Sequence, residues 1–283
     1  MTNKAIPFGS DLLFEVYVNQ TNFRGLSVGY ELNEFRYEAL TDLIFDALPD
    51  FALTYKEKIT FGVANCRQKM RRAAKLIYQS DKYKKRGEFG EILLHAVMRD
   101  YFGSIPAISK MYYKDGSNET VKGFDAVHIV PVHDDLELWL GEVKFYNSIS
   151  NAIRDVVKEL NAHTNKDYLR DEFLFISNKI DDSWPFAQKL KDLIDEKTTL
   201  DKVFSRLRIP VLLTYDSQIV RRYRQACNNY KKDLIDEIHK HHDTFRKNNL
   251  PKNIEIVLIL IPLEEKAKLV DKLHKKLKVW QEI

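Results

Sequence analysis

Cysteine is nearly absent from the chain. The two that occur, Cys66 and Cys227, stand alone, with no CxxC and no Cys/His spacing around them. That excludes a disulfide framework and a zinc finger, and it fits free thiols in a reducing cytosol. No stretch reaches the roughly 18 consecutive apolar residues of a membrane span. The opening MTNKAIPFGSDLLF has no uninterrupted apolar core, so no signal peptide is expected. Net charge is also lacking: 45 Lys and Arg against 41 Asp and Glu leave only +4. Any affinity for nucleic acid must therefore come from local clusters. There is no internal repeat, no low-complexity linker and no P-loop GxxxxGK[ST]. What remains is 44% hydrophobic and 30% charged, the composition of a globular chain able to bury a core.

Periodicity then supplies elements. Residues 11–19 alternate as a strand, and 34–47 carry apolar residues at helical spacing, with Pro49 expected to end that helix. These form an N-terminal subdomain, residues 1–80, ahead of a larger domain, 81–283. A helix is predicted from Gly87 to Phe102. Three strand-like pieces follow, at 108–114, 123–132 and 136–146, and read as a meander laid on that helix. Downstream, helices near 148–163, 184–198, 217–247 and 264–280 alternate with strands at 172–177, 209–215 and 254–261. The last helix is expected to bury Ala267, Val270, Leu273, Leu277 and Trp280. The fold class is α/β, a mixed central sheet flanked by helices.

The most informative stretch is Leu136-Glu-Leu-Trp-Leu-Gly-Glu-Val-Lys-Phe-Tyr146. Side chains at i and i+2 of a strand share a face, so Glu142 and Lys144 emerge side by side with Leu138 and Leu140. Trp139, Val143 and Phe145 occupy the other face. A strand apolar on both sides is a central one, and charges are rarely buried there without a partner or a metal. If strands 123–132 and 136–146 pair as a hairpin, Asp125 comes close to Glu142 across the ladder. Converging carboxylates of this kind are hard oxygen donors suited to Mg2+, and Lys144 would hold an attacking water and offset developing negative charge. Glu88 and Glu91 lie on the preceding helix. Between Arg67 and Arg86 nine Lys and Arg residues face a single acid, Asp81. Arg71, Arg72, Lys84, Lys85 and Arg86 are the candidate phosphate contacts of that run.

Plainer readings stand beside these. Glu142 and Lys144 also fit a surface pair on an edge strand, Asp125 a turn residue, and Glu88 an acid complementing a helix dipole. The basic run also fits a solvated helix face and a polar loop. His239, His241 and His242 fit a solvated face better than a metal site, because His239/Asp243 is the only i,i+4 pairing among them and Asp243. His128 and His133 flank the hairpin and are structural by default.

An Asp followed by Glu-x-Lys on the next strand, with a helical Glu upstream, resembles the PD-(D/E)xK nuclease superfamily of restriction-endonuclease type, with Phe124-Asp125 in place of Pro-Asp. More narrowly, GEFGEILLHAVM, KGFDAVHI, LGEVKFY and IEIVLILIPLEEKAKLVDKLHKKL resemble the HamA family, the nuclease subunits of the Hachiman anti-phage systems. The resemblance implies a restriction-endonuclease-like core with an N-terminal extension in a prokaryotic cytoplasm. It implies a DNA nuclease dependent on Mg2+ or Mn2+, working with a helicase subunit resembling HamB. On it Asp125 and Glu142 match the metal ligands, Glu91 the helical carboxylate in preference to Glu88, and Lys144 the catalytic lysine. No base-reading motif occurs, so little sequence specificity is expected. Two alternatives stay open: a non-catalytic DNA-binding or adaptor subunit that keeps the fold, and a stand-alone repair or resolvase-like nuclease.

Overall fold

The computed structural model describes residues 13–78, 87–109 and 123–283. In chain order, β1 (Glu15–Gln20) and β2 (Phe23–Ser27) form a hairpin, and β3 (Tyr30–Glu31) and β4 (Glu34–Phe35) a small separate ribbon. Helices α1 (Tyr37–Ala52), α2 (Tyr55–Ile59) and α3 (Cys66–Ile77) follow. Next, α4 (Glu88–Phe102) leads into β5 (Ile105–Ser109), β6 (Ala126–Val132) and β7 (Asp135–Phe145). Four helices, α5 (Ile149–His163), α6 (Lys166–Lys179), α7 (Ala187–Ile194) and α8 (Leu200–Phe204), precede β8 (Leu207–Asp216). The described chain closes with α9 (Gln218–Arg222), α10 (Asn228–Arg246), β9 (Glu255–Leu263) and α11 (Lys266–Glu282).

Seven strands make one mixed sheet in the order β1-β2-β9-β8-β7-β6-β5. The centre, β9-β8-β7, is parallel, and the β5-β6-β7 meander is antiparallel. The run from Leu138 to Phe145 is buried throughout, as its two-sided apolarity requires. On the face of β7 that carries Val143 and Phe145 lies α4, running along the strand. A Cβ at Gly90 would stand 2.6 Å from the Phe145 Cβ, and one at Gly141 2.8 Å from a Leu94 methyl. Glycine at both positions is what lets helix and strand approach this closely. Further along the same face, the Phe102 ring meets Trp139. Helix α1 packs on α4 on this side, α3 and α11 pack on α1 and on each other, and α5 packs on β7 and β8 from the other. The hairpin β1-β2 joins the sheet beside β9, so the N-terminal segment shares its sheet with the rest.

Several expectations are corrected here. Residues 172–177, read as a strand, lie inside α6, where Leu169, Glu172, Phe173 and Ile176 are buried at helical spacing. Asn165 caps that helix by accepting from the Asp167 N–H at 3.0 Å. A short apolar run does not distinguish the two states, and Leu174 and Phe175, exposed on α6, made the run continuous. Pro49 does not end α1, which continues to Ala52: proline removes one hydrogen bond, and the last turn is held by burial of Phe51 and Ala52. The helix read over 217–247 is two. Tyr223 is extended at its break, and Val220, Tyr230, Leu234 and Ile238 reach the core from both pieces. In α11, Ala267 is exposed and Leu269 takes the core position instead. The predicted strand start at 11–12, the strand end at 110–114 and Lys84, Lys85 and Arg86 lie outside the described residues.

A buried polar chain ties the N-terminal helices to the sheet. Ser104 Oγ lies 2.8 Å from His128 Nδ1, His128 Nε2 3.1 Å from His95 Nδ1, and His95 Nε2 3.1 Å from Asp50 Oδ2. An ionised Asp50 only accepts, so the protons run one way: serine to His128, His128 to His95, His95 to Asp50. Both imidazoles are then neutral. Burial pushes His95 and His128 below the usual histidine range. Asp50 is buried too, but its bond to His95 and the Lys58 charge outweigh that and hold its carboxyl low.

Unfolding lets both histidines titrate near 6.5, so their contribution is complete above that pH and is lost as pH falls through it, at about 1.4 kcal/mol per pH unit each. Urea denaturation from pH 7.5 to 5.5 is expected to show this loss, and His128→Gln to show a shallower slope. Equal slopes would refute the neutral assignment.

Candidate functional site

Register brings the predicted carboxylates together. Ala126 pairs with Gly141 across the β6-β7 ladder, and the Asp125 N–H donates to the Gly141 carbonyl at 2.8 Å. Asp125 therefore stands opposite Glu142, just before β6 begins. Its Oδ2 accepts from the Val143 N–H at 2.9 Å, which fixes the carboxylate against β7. Glu142 is 1% exposed, and Asp125 and Lys144 are buried. Lys144 lies two residues on, along the same face as Glu142.

Two residues that the sequence did not single out complete the arrangement. His163, the last residue of α5, donates from Nδ1 to Glu142 Oε1 at 2.5 Å. Glu159, one turn earlier on the same helix, pairs with Lys144 Nζ. The His163 ring is itself held, stacked on Tyr168 at 4.4 Å and met edge-on by Phe124 at 5.3 Å. The one available signal was the i,i+4 spacing of Glu159 and His163, which is common on solvated helices.

Electrostatics mark the site as short of positive charge. Burial pushes the Glu142 carboxyl above the usual glutamate range, and the nearby Asp125 charge pushes it further, against the pull of His163 and Lys144. Burial opposes the charge on His163, but the bond to Glu142 outweighs it and raises the imidazole. Lys144 is likewise desolvated, and its bond to Glu159 with the charges of Asp125 and Glu142 keeps it firmly protonated.

Glu91 is half-buried in the first turn of α4. It follows Gly90, the point at which α4 meets Val143 and Phe145 of β7. Among the described residues no group of three or more His, Cys, Asp or Glu is arranged to hold a metal ion. The carboxylates that can serve a cation are Asp125 and Glu142, an all-oxygen pair of the kind Mg2+ takes, which keeps water in its other positions. Their mutual repulsion within apolar surroundings is what such a cation would relieve.

Arg71 and Arg72 lie on α3, where they line a surface cavity of about 510 Å3 with Lys69, Lys75 and Glu57. Arg72 Nε pairs with Glu57 at 2.9 Å. The histidines near 240 serve packing: His242 stacks on Phe23 and His241 meets Tyr215 edge-on. His128 belongs to the buried chain of the core, and His133 sits exposed in the β6-β7 turn at φ 53°.

No helix among the described residues is long and apolar enough to cross a membrane. No curated protein matches the chain. Residues 8–277, nearly its whole length, match the model of the HamA family. The chain belongs to the HamA family, which ties it to Hachiman defence.

Proposed function

We propose that the protein is a metal-dependent DNA nuclease of PD-(D/E)xK type that acts with a helicase subunit in anti-phage defence. The observation that carries this reading is the pairing of Asp125 with Glu142 across β6-β7, with Lys144 on the same face of the strand. Family membership supports the defence context and the helicase partner. Asp125 and Glu142 would hold Mg2+ or Mn2+, with Glu91 as a further carboxylate from α4. A cation bound there supplies an acidified water and neutralises charge on the phosphodiester. Lys144 orients the attacking water and stabilises negative charge as it develops. The fixed spacing of a strand places Glu142 and Lys144 without any loop adjustment. Arg71 and Arg72 would grip the backbone, contacts that position DNA without reading sequence.

Plasmid cleavage by the purified chain with its partner and Mg2+ tests the reading. Glu142→Ala and Lys144→Ala should each lower the rate by about 100-fold or more, the scale of losing a charge-stabilising group. Cleavage by both variants at the wild-type rate would sink the assignment. A folded, DNA-binding protein that never cuts would instead support the adaptor alternative.

Arg71→Ala and Arg72→Ala should weaken binding to all DNA sequences alike. Each should reduce the slope of log affinity against log salt by about one for each phosphate no longer neutralised. An unchanged slope would remove α3 from the interface.

The site should also cost stability. Glu142→Gln keeps the shape and an acceptor for His163 while removing one of two repelling buried charges. In EDTA it should be as stable as wild type or more stable by about 1 kcal/mol, because relief of the Asp125 repulsion offsets the lost charge pairing with His163. A marked fall in melting temperature would show that Glu142 serves the fold.

A further inference from the structure

Both side chains of β7 that the proposed chemistry needs are held by a single helix. His163 and Glu159 lie four residues apart on α5, a rise of about 6 Å. Glu142 and Lys144 lie two apart on β7, a rise of roughly 6.6 Å. The steps match, so both pairs form in one docking of α5, and releasing one loosens the other. Phe124, the neighbour of Asp125, and Tyr168, at the start of α6, grip the His163 ring and extend the contact to the segment that carries the second carboxylate into β6. One of the two carboxylate oxygens of Glu142, Oε1, is occupied by His163 Nδ1. Glu159 engages the ammonium that would otherwise face the water.

We propose that the last turn of α5 is a latch over this site. In the docked form His163 and Glu159 close Glu142 and Lys144 to a divalent cation, and loading requires that turn to move off β7. The inference rests on reading Asp125 and Glu142 as cation ligands. It makes α5 a two-position element whose balance the cation shifts, with no other chain needed for the restraint.

The test measures Mn2+ binding to the full chain by the electron paramagnetic resonance signal of free Mn2+. His163→Phe keeps a ring between Phe124 and Tyr168 and removes the donor to Glu142. It should bind Mn2+ about tenfold more tightly than wild type. Removing a competing positive group would tighten binding even without a latch, so Glu159→Gln decides. It removes a negative charge, which by charge alone weakens cation binding; with a latch it frees α5 and tightens binding, by about threefold or more. In wild type, Mn2+ should also speed amide exchange in residues 160–164. Weaker binding by Glu159→Gln, or unchanged or slower exchange, overturns the latch. Asp125→Asn separates the two ideas: if it abolishes Mn2+ binding, the cation reading stands whatever the α5 variants do. If Mn2+ binds neither wild type nor any variant, that reading falls and takes the latch with it.

Discussion

The structure depends on one constraint: β7 carries a carboxylate and an ammonium in the middle of a sheet covered on both faces. Glu142 and Lys144 are both buried, and the interior does not tolerate such charges unless each meets a partner. That requirement fixes the surroundings. It accounts for α5 presenting an acid and a histidine one turn apart, and for Asp125 held opposite Glu142 by a backbone N–H. On the back of the strand the requirement is steric. Gly90 lets α4 lie directly on β7, where a Cβ would meet the Phe145 Cβ and push the layers apart, and Gly141 leaves room for the end of the Leu94 side chain.

The legible part of this site was the part written in strand periodicity. Two charges at i and i+2 within an apolar run state their own burial, and a tight turn at 133–135 states which strand pairs with β7. Asp125 opposite Glu142 follows from those two facts. His163 and Glu159 were not legible, because on a helix an acid and a histidine four apart have the same pattern whether they face water or a buried strand. Only the docking of α5 distinguishes the cases. The same limit misplaced residues 172–177. Phe173 and Ile176 point inward while Leu174 and Phe175 point out, and a run apolar on every side carries no period to read. Pro49 and the break near Tyr223 show the converse: local signals set where a helix is weak, and packing decides whether it ends there.

The chain from Ser104 to Asp50 was hidden for a different reason. Its four members come from α1, α4, β6 and the turn before β5, and none has a neighbour in sequence that announces it. Yet it links the helices of residues 13–78 to the sheet. Each link has one proton and one lone pair, so the set is satisfied only when all four elements are in place. With β1-β2 adding to the sheet beside β9, this chain binds the N-terminal helices to the strand that precedes β7. Rigidity at the site thus draws on residues distant in sequence from it.

Strand and helix divide the work at the site. A central strand gives fixed spacing and a dry environment, both of which raise the worth of a charge placed there. It gives little means of changing state, since the strand is paired with β6 on one side and β8 on the other. The end of a helix does: its last turn has fewer hydrogen bonds to lose, and its contacts here are side chain to side chain. With the chemistry on β7 and its cap on the final turn of α5, access can change while the register of Asp125, Glu142 and Lys144 stays intact. For the nuclease proposed above, in which no base contact would restrain cutting, control of access to the charged face is the restraint that α5 would supply.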